Sequence, residues 1–239
     1  MSAGRLPIPA LLLAPVLAGC IATTPVKITD HNVFQPSARV SIQLSGEPEV
    51  PSRPHDGAAF EFSVTGGNGS DGQSLAAGAL PVVVGGQTFT GPQQLNHKFE
   101  FRYVESVYRL RLFLNDALGF EGLIGLGYAS FDLTTTAPGR RATEDRGDGG
   151  FAGGIGGLWR VLPSTSLQAR VSFFESFGDI SEDDGISARR IDIHAVQAFG
   201  RNVALRAGWS DWKLKSKNSP NSEIKARFYG PALGLELMF

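Results

Sequence analysis

A single cysteine, Cys20, stands in 239 residues, so no disulfide can form within the chain. Methionine occurs twice, tryptophan three times and histidine four times. His31, His55, His97 and His194 are scattered without metal-ligand spacing, so no metal and no cofactor is expected. The formal net charge is −1, which removes the electrostatic case for a nucleic-acid partner. No apolar run reaches the ~20 residues of a helical membrane span. The glycine runs are not phosphate loops. Gly66-Gly67-Asn68-Gly69 lacks the following Lys-Ser/Thr, and Gly153-Gly154-Ile155-Gly156-Gly157 sits within a strand-like stretch.

What is plentiful is glycine, at 30 residues, and phenylalanine, at 16, arranged in segments of period two. The last stretch, Ser222 to Phe239, is the clearest. Phe239, Leu237, Leu235, Leu233, Pro231 and Tyr229 form one face. Met238, Glu236, Gly234, Ala232, Gly230 and Phe228 form the other, smaller one. Similar alternation predicts strands at 58–65, 98–114, 119–135, 151–162, 166–177, 186–199 and 203–215. With the last stretch that makes eight. Short turns are expected at Asn115-Asp116, Pro163-Ser164-Thr165 and Gly200-Arg201-Asn202. The other connections are longer or charged: 66–97 with a hairpin near Pro81–Gly86, a solvated loop over 137–150, and an acidic loop at Gly178–Gly185. An even strand count puts both ends of the sheet on one side.

The expected fold is therefore all-β, an eight-stranded antiparallel up-and-down barrel with an extended N-terminal tether. The tether covers 20–57 and the barrel 58–239; Arg39 to Leu44 alternates and is either a short strand of the tether or a barrel strand. One face of the strands collects Glu61, Glu105, Arg109, Arg111, Glu121, Arg160, Arg170, Arg190, Asp192, His194, Arg206 and Glu236. The other collects bulky apolar residues. In a membrane barrel the charges line the lumen and must pair there. In a water-soluble barrel the bulky residues would be inside. Alternation alone leaves that choice open. In the membrane reading Glu105 and Glu121 are expected to pair with Arg109, Arg160 and Arg170.

The two ends carry the choice. Leu233, Leu235, Leu237 and Phe239 resemble the C-terminal assembly signal of Gram-negative outer-membrane barrels, with Pro231 a departure from it. At the other end, Arg5 is followed by a Pro-interrupted apolar run from Leu6 to Ala18 that reads as a secretory signal. It ends in Leu17-Ala18-Gly19-Cys20, which resembles a lipobox. That resemblance implies cleavage after residue 19, covalent lipid (a diacylglycerol thioether and an acyl chain) on Cys20, and an outer-membrane address. It also implies dealings with lipoprotein-sorting and barrel-assembly machineries, with lipopolysaccharide and with outer-membrane lipid.

For function, the residues point to a lipid-anchored barrel with a plugged polar lumen. Its role would be structural or accessory, as a subunit or anchor of an envelope complex reached through tether or loops. Two alternatives stand beside it. A lipid-modifying enzyme, a deacylase or acyltransferase, would need a Ser–His–acid contact; the candidates are His194 and Asp192 with Ser172 or Ser210. A narrow channel would need a conducting lumen.

Overall fold

The computed structural model describes residues 23–45, 56–178, 185–218 and 222–239. The strands are β1 (Val26–His31), β2 (Gln35–Ser45), β3 (Gly57–Leu75), β4 (Val82–Val84), β5 (Gln87–Phe89) and β6 (Gln93–Phe113), then β7 (Leu118–Ala137), β8 (Arg140–Leu162), β9 (Thr165–Ser176), β10 (Gly185–Phe199), β11 (Val203–Asn218) and β12 (Ser222–Met238). The protein is all-β, with no helix among the described residues.

One sheet runs β1-β12-β11-β10-β9-β8-β7-β6-β3-β2, and β12 also pairs with β2, so the sheet closes into a ring. Every pairing from β2 round to β12 through β3 is antiparallel. The closing seam is parallel: Val26–His31 pair with Ile224–Tyr229, and Gln35–Ser41 with Ala232–Met238. β1 and β2 thus act as one strand broken at Asn32-Val33-Phe34, where Asn32 takes a φ of 70°. Asparagine is among the few residues that enter this region readily. At the break the Val33 amide donates to the Tyr229 carbonyl at 3.2 Å. Pro231, two residues on, faces the same seam, so its missing amide falls where the partner strand is interrupted. Gly230 lies against the backbone of Asn32 and Val33, where a Cβ would collide.

This architecture corrects the sequence expectation in five places, the first being the connection expected over 66–97, whose ends are strand: β3 runs to Leu75 and β6 begins at Gln93. The closed ring holds nine strands, β2, β3 and β6–β12, rather than eight. The stretch expected as a tether, 20–57, instead supplies β1 and β2 to the sheet. The alternation of Arg39 to Leu44, left open in the sequence, belongs to the barrel-strand alternative; β1 was hidden by the Pro-rich, polar composition. The first and last strands consequently run parallel, so Thr23 and Phe239 lie at opposite rims. The solvated loop expected over 137–150 is mostly strand: β7 runs to Ala137, β8 starts at Arg140, and the two meet in a tight turn at Pro138-Gly139. Glycine, and charges on both faces of β8 (Arg141 and Asp145 outside, Glu144, Arg146 and Asp148 inside), gave this stretch a loop-like composition.

The strands are long, β6, β7 and β8 having 21, 20 and 23 residues, and they invert their polarity midway. Towards the rim that holds Phe239, outward residues are apolar and inward ones charged. On β6 these are Val104, Tyr108, Leu110 and Leu112 outside, with Glu105, Arg109 and Arg111 inside. Towards the other rim the same strand puts Lys98, Glu100 and Arg102 outside and Leu95, Phe99, Phe101 and Tyr103 inside. β11 repeats the switch. Leu205 and Trp209 are exposed and Arg206 and Ser210 buried, and then Lys213 and Lys215 are exposed and Trp212 and Leu214 buried.

The upper interior is an ordinary hydrophobic core. Phe99, Phe101, Phe131, Phe228 and Trp212 are buried in it and pack on one another, stacked, tilted or edge-on, with ring centroids 4.6–6.2 Å apart. The β4–β5 hairpin folds over the mouth, burying Val82, Val84 and Phe89. It is held by Gly85 N donating to Glu144 Oε2 at 3.1 Å, Ser222 Oγ to the Val83 carbonyl at 3.2 Å, and Thr24 N to the Pro81 carbonyl at 2.8 Å. β1 and β3 form no ladder; side chains join them instead. Thr29 N donates to Asp71 Oδ2 at 2.7 Å, Ser70 N to Asp30 Oδ2 at 2.8 Å and Lys27 N to Gln73 Oε1 at 3.1 Å.

Candidate functional site

The lower lumen holds the chain's unusual chemistry. Because successive strand residues point to opposite faces, Glu61 of β3, Glu105, Arg109 and Arg111 of β6, Glu121 of β7 and Arg170 of β9 all enter it. Arg190, Asp192 and His194 of β10, Arg206 of β11 and Glu236 of β12 join them; Arg160 of β8 is half-buried near the rim.

Glu61 is the hub and has no exposed surface. Its carboxylate meets Arg170 Nη1 at 2.6 Å, Arg39 Nε at 3.0 Å and Arg109 Nη1 at 3.4 Å. Arg170 carries the network onward, its Nη2 lying 2.8 Å from Glu121, which also accepts from Arg111 Nη2 at 3.1 Å. Glu236 sits among three guanidinium groups, with Arg206, Arg39 and Arg109 at 3.6, 3.9 and 3.9 Å. Glu105 takes Arg190 at 3.1 Å, together with hydroxyl bonds from Ser63 at 2.8 Å and Tyr103 at 3.1 Å. The expected partners of Glu105 were Arg109, Arg160 and Arg170; its side chain instead meets Arg190 of β10 across the lumen. Buried charges persist only when paired, and here each carboxylate lies beside at least one guanidinium group.

Arg39 is the member that sequence reading left out of the lumen, because it fell in the expected tether. The alternation Arg39-Val40-Ser41-Ile42 was its signal: Ser41 donates to Glu236 at 3.5 Å from the same face. Arg190 marks the boundary between storeys. Its guanidinium lies over Trp212 at 5.0 Å and Tyr103 at 5.8 Å, the apolar core's lowest rings, while its nitrogens reach Glu105 and Asp192.

The catalytic candidates do not assemble into a relay. The Ser210 hydroxyl donates to Asp192, not to His194. Asp192 is engaged by Arg190 Nε at 2.7 Å. The His194 Nδ1 lies 3.4 Å from Arg206 Nη2. A nucleophile needs its hydroxyl on the base, with the acid behind the base. Here serine and histidine are both diverted into the ion network. Ser172 is buried on β9, and no bond joins it to His194. No group of three or more potential metal ligands occurs among the described residues.

Outside the charged storey the ring presents an apolar surface. Ile124, Ile155, Ile193, Phe173, Trp159 and Trp209 are 71, 70, 59, 54, 51 and 43% exposed. Leu233 and Leu235 belong to it, Leu237 is half-buried, and Phe239 is exposed at the rim. Monomeric water-soluble proteins rarely show a continuous apolar band of this extent. Cys20 and the signal-like segment 1–19 lie outside the described residues. No family model, curated protein or solved structure matches this chain.

Proposed function

We propose that the chain is an outer-membrane barrel whose lower half sits in the bilayer, with a lumen closed by ion pairs. It serves a structural or accessory role in the cell envelope rather than a catalytic or conducting one. The observation that carries this reading is the inversion of polarity within single strands. A strand half that puts Ile, Leu and Trp outside and Arg and Glu inside is matched to lipid outside and a polar interior. The same strand's upper half, with Lys and Glu outside and Phe inside, is matched to water. Crossing a bilayer takes about 9–11 residues of tilted strand, and the β6 segment from Val104 to Phe113 is of that length.

The Glu61–Arg170–Glu121 network fills the lower lumen and the aromatic cluster lies above it, which favours an anchor or scaffold over a channel. The diverted hydroxyl of Ser210 weighs against a lipid-modifying enzyme. The lipobox-like segment supports lipidation at Cys20.

The test uses three single-tryptophan variants reconstituted in vesicles of acyl-brominated lipid. Fluorescence from Trp159 and Trp209 should be quenched, and that from Trp212, buried inside the ring, should not. Equal behaviour of all three would exclude the bilayer reading.

A further inference from the structure

Just above the apolar belt, the outward faces of β1, β12, β11 and β10 carry cations set directly opposite one another. One cross-strand row is Lys27, Lys225, Lys215 and Ser187. The next, one step nearer the belt, is Thr29, Arg227, Lys213, Arg189 and Phe173. Like charges placed opposite each other across a sheet oppose folding. They are only partly offset: Glu223 reaches Lys225 at 3.0 Å and Lys215 at 3.4 Å, and Asp211 reaches Arg227 at 2.8 Å. Lys27, Arg189 and Lys213 are exposed, and the remaining outward carboxylate of this face among the described residues is Glu175. At a comparable height the far side of the ring is mixed in sign, with Glu100, Asp132 and Asp145 in one row and Lys98 and Arg102 on the positions beside Glu100. The basic face is therefore local, not a general property of the rim.

We propose that this face binds the headgroup of a multiply phosphorylated membrane lipid. The inference rests on the bilayer reading above and adds the ligand. Two features favour a lipid over an acidic protein. First, the cations lead into apolar side chains on the same strands: Arg189 into Ile191 and Ile193, Arg227 through Tyr229 and Pro231 into Leu233, and Lys213, past Asp211, into Trp209. An amphiphile lying along the strands would meet charge with its head and apolar surface with its chains. Second, neighbouring strands are about 4.8 Å apart, so the row from β1 to β10 spans about 14 Å, room for more than one phosphate. Arg227 also lies 5.4 Å from the face of the Tyr229 ring, which stands at the join between the two surfaces.

The probes are diphosphoryl lipid A, monophosphoryl lipid A and phosphatidylcholine, titrated into the detergent-solubilised full chain and read by native mass spectrometry. Affinity should fall in that order. The quadruple variant K27Q/R189Q/K213Q/R227Q should lose about tenfold or more for the diphosphoryl lipid. The variant E100Q/D132N/D145N should lose nothing. Retained heat-dependent gel mobility would show that both variants fold. Equal binding of the three lipids, or unchanged binding by the quadruple variant, overturns the proposal. So does a cross-linked dimer that the quadruple variant abolishes, because the face would then join copies of the chain. Failure of the tryptophan-quenching test is a separate outcome, striking the bilayer reading first.

Discussion

At the scale of single residues, burial decides which charges matter. Glu61 has no exposed surface and three guanidinium partners, whereas Glu100 pairs with Arg102 in open solvent. Removing one partner of a buried network strands the others, at a cost of about 3–5 kcal/mol. Glu61→Ala should therefore lower the temperature at which the folded band is lost on a gel, while Glu100→Gln should leave it unchanged. His97 offers a pH effect in the upper storey. It is buried, its Nδ1 is 2.8 Å from Thr135 Oγ1, and desolvation holds its proton affinity below the ordinary value, with Asp71 pulling weakly the other way. The unfolded chain then binds more protons below about pH 6.5, so this contribution is present above that pH and is lost as pH falls towards the folded value. Urea midpoints should decline between neutral and mildly acidic pH in the parent and decline less in His97→Asn.

At the scale of elements, strand identity was legible wherever large apolar side chains alternated with charged or small ones. The positions β9, β10 and β12 differ from the sequence reading by a residue or so. The extensions of β3 and β8 were not legible. Gly66 to Leu75 and Arg140 to Gly150 are rich in glycine and charge, the composition of a loop. What makes them strands is the neighbour: each extends a ladder already registered below it. The β4–β5 hairpin is an element whose position only packing explains. Gly85 has a φ of 53°, and a Cβ there would strike the Thr143 carbonyl. A non-glycine residue in this region costs about 1–2 kcal/mol from backbone strain alone. Gly85→Val should lift the hairpin, and an environment-sensitive apolar dye should bind more strongly as Val82, Val84 and Phe89 come free. Bilayer insertion should be unaffected, since the hairpin lies far from the belt.

At the scale of the whole molecule, the ring is two unlike proteins stacked end to end. The upper one is built like a water-soluble sheet with its apolar side inward, and the lower one is turned inside out. If the lower half faces lipid, a cation placed there must be desolvated, at about 2–4 kcal/mol near the bilayer centre. Ile193→Arg should shift urea unfolding in vesicles by about that amount. Lys213→Arg, above the belt, should shift it little.

The sequence by itself determined the period-two alternation, the strands β6 to β12 in outline, and the residues that share the charged face. These are local properties, since a strand's sidedness is written in every second residue. Strand number, the parallel seam and the Glu61 hub with Arg39 were decided only by tertiary structure. Ring closure depends on which edges are left to pair, and an ion pair across a lumen joins residues whose separation along the chain carries no signal.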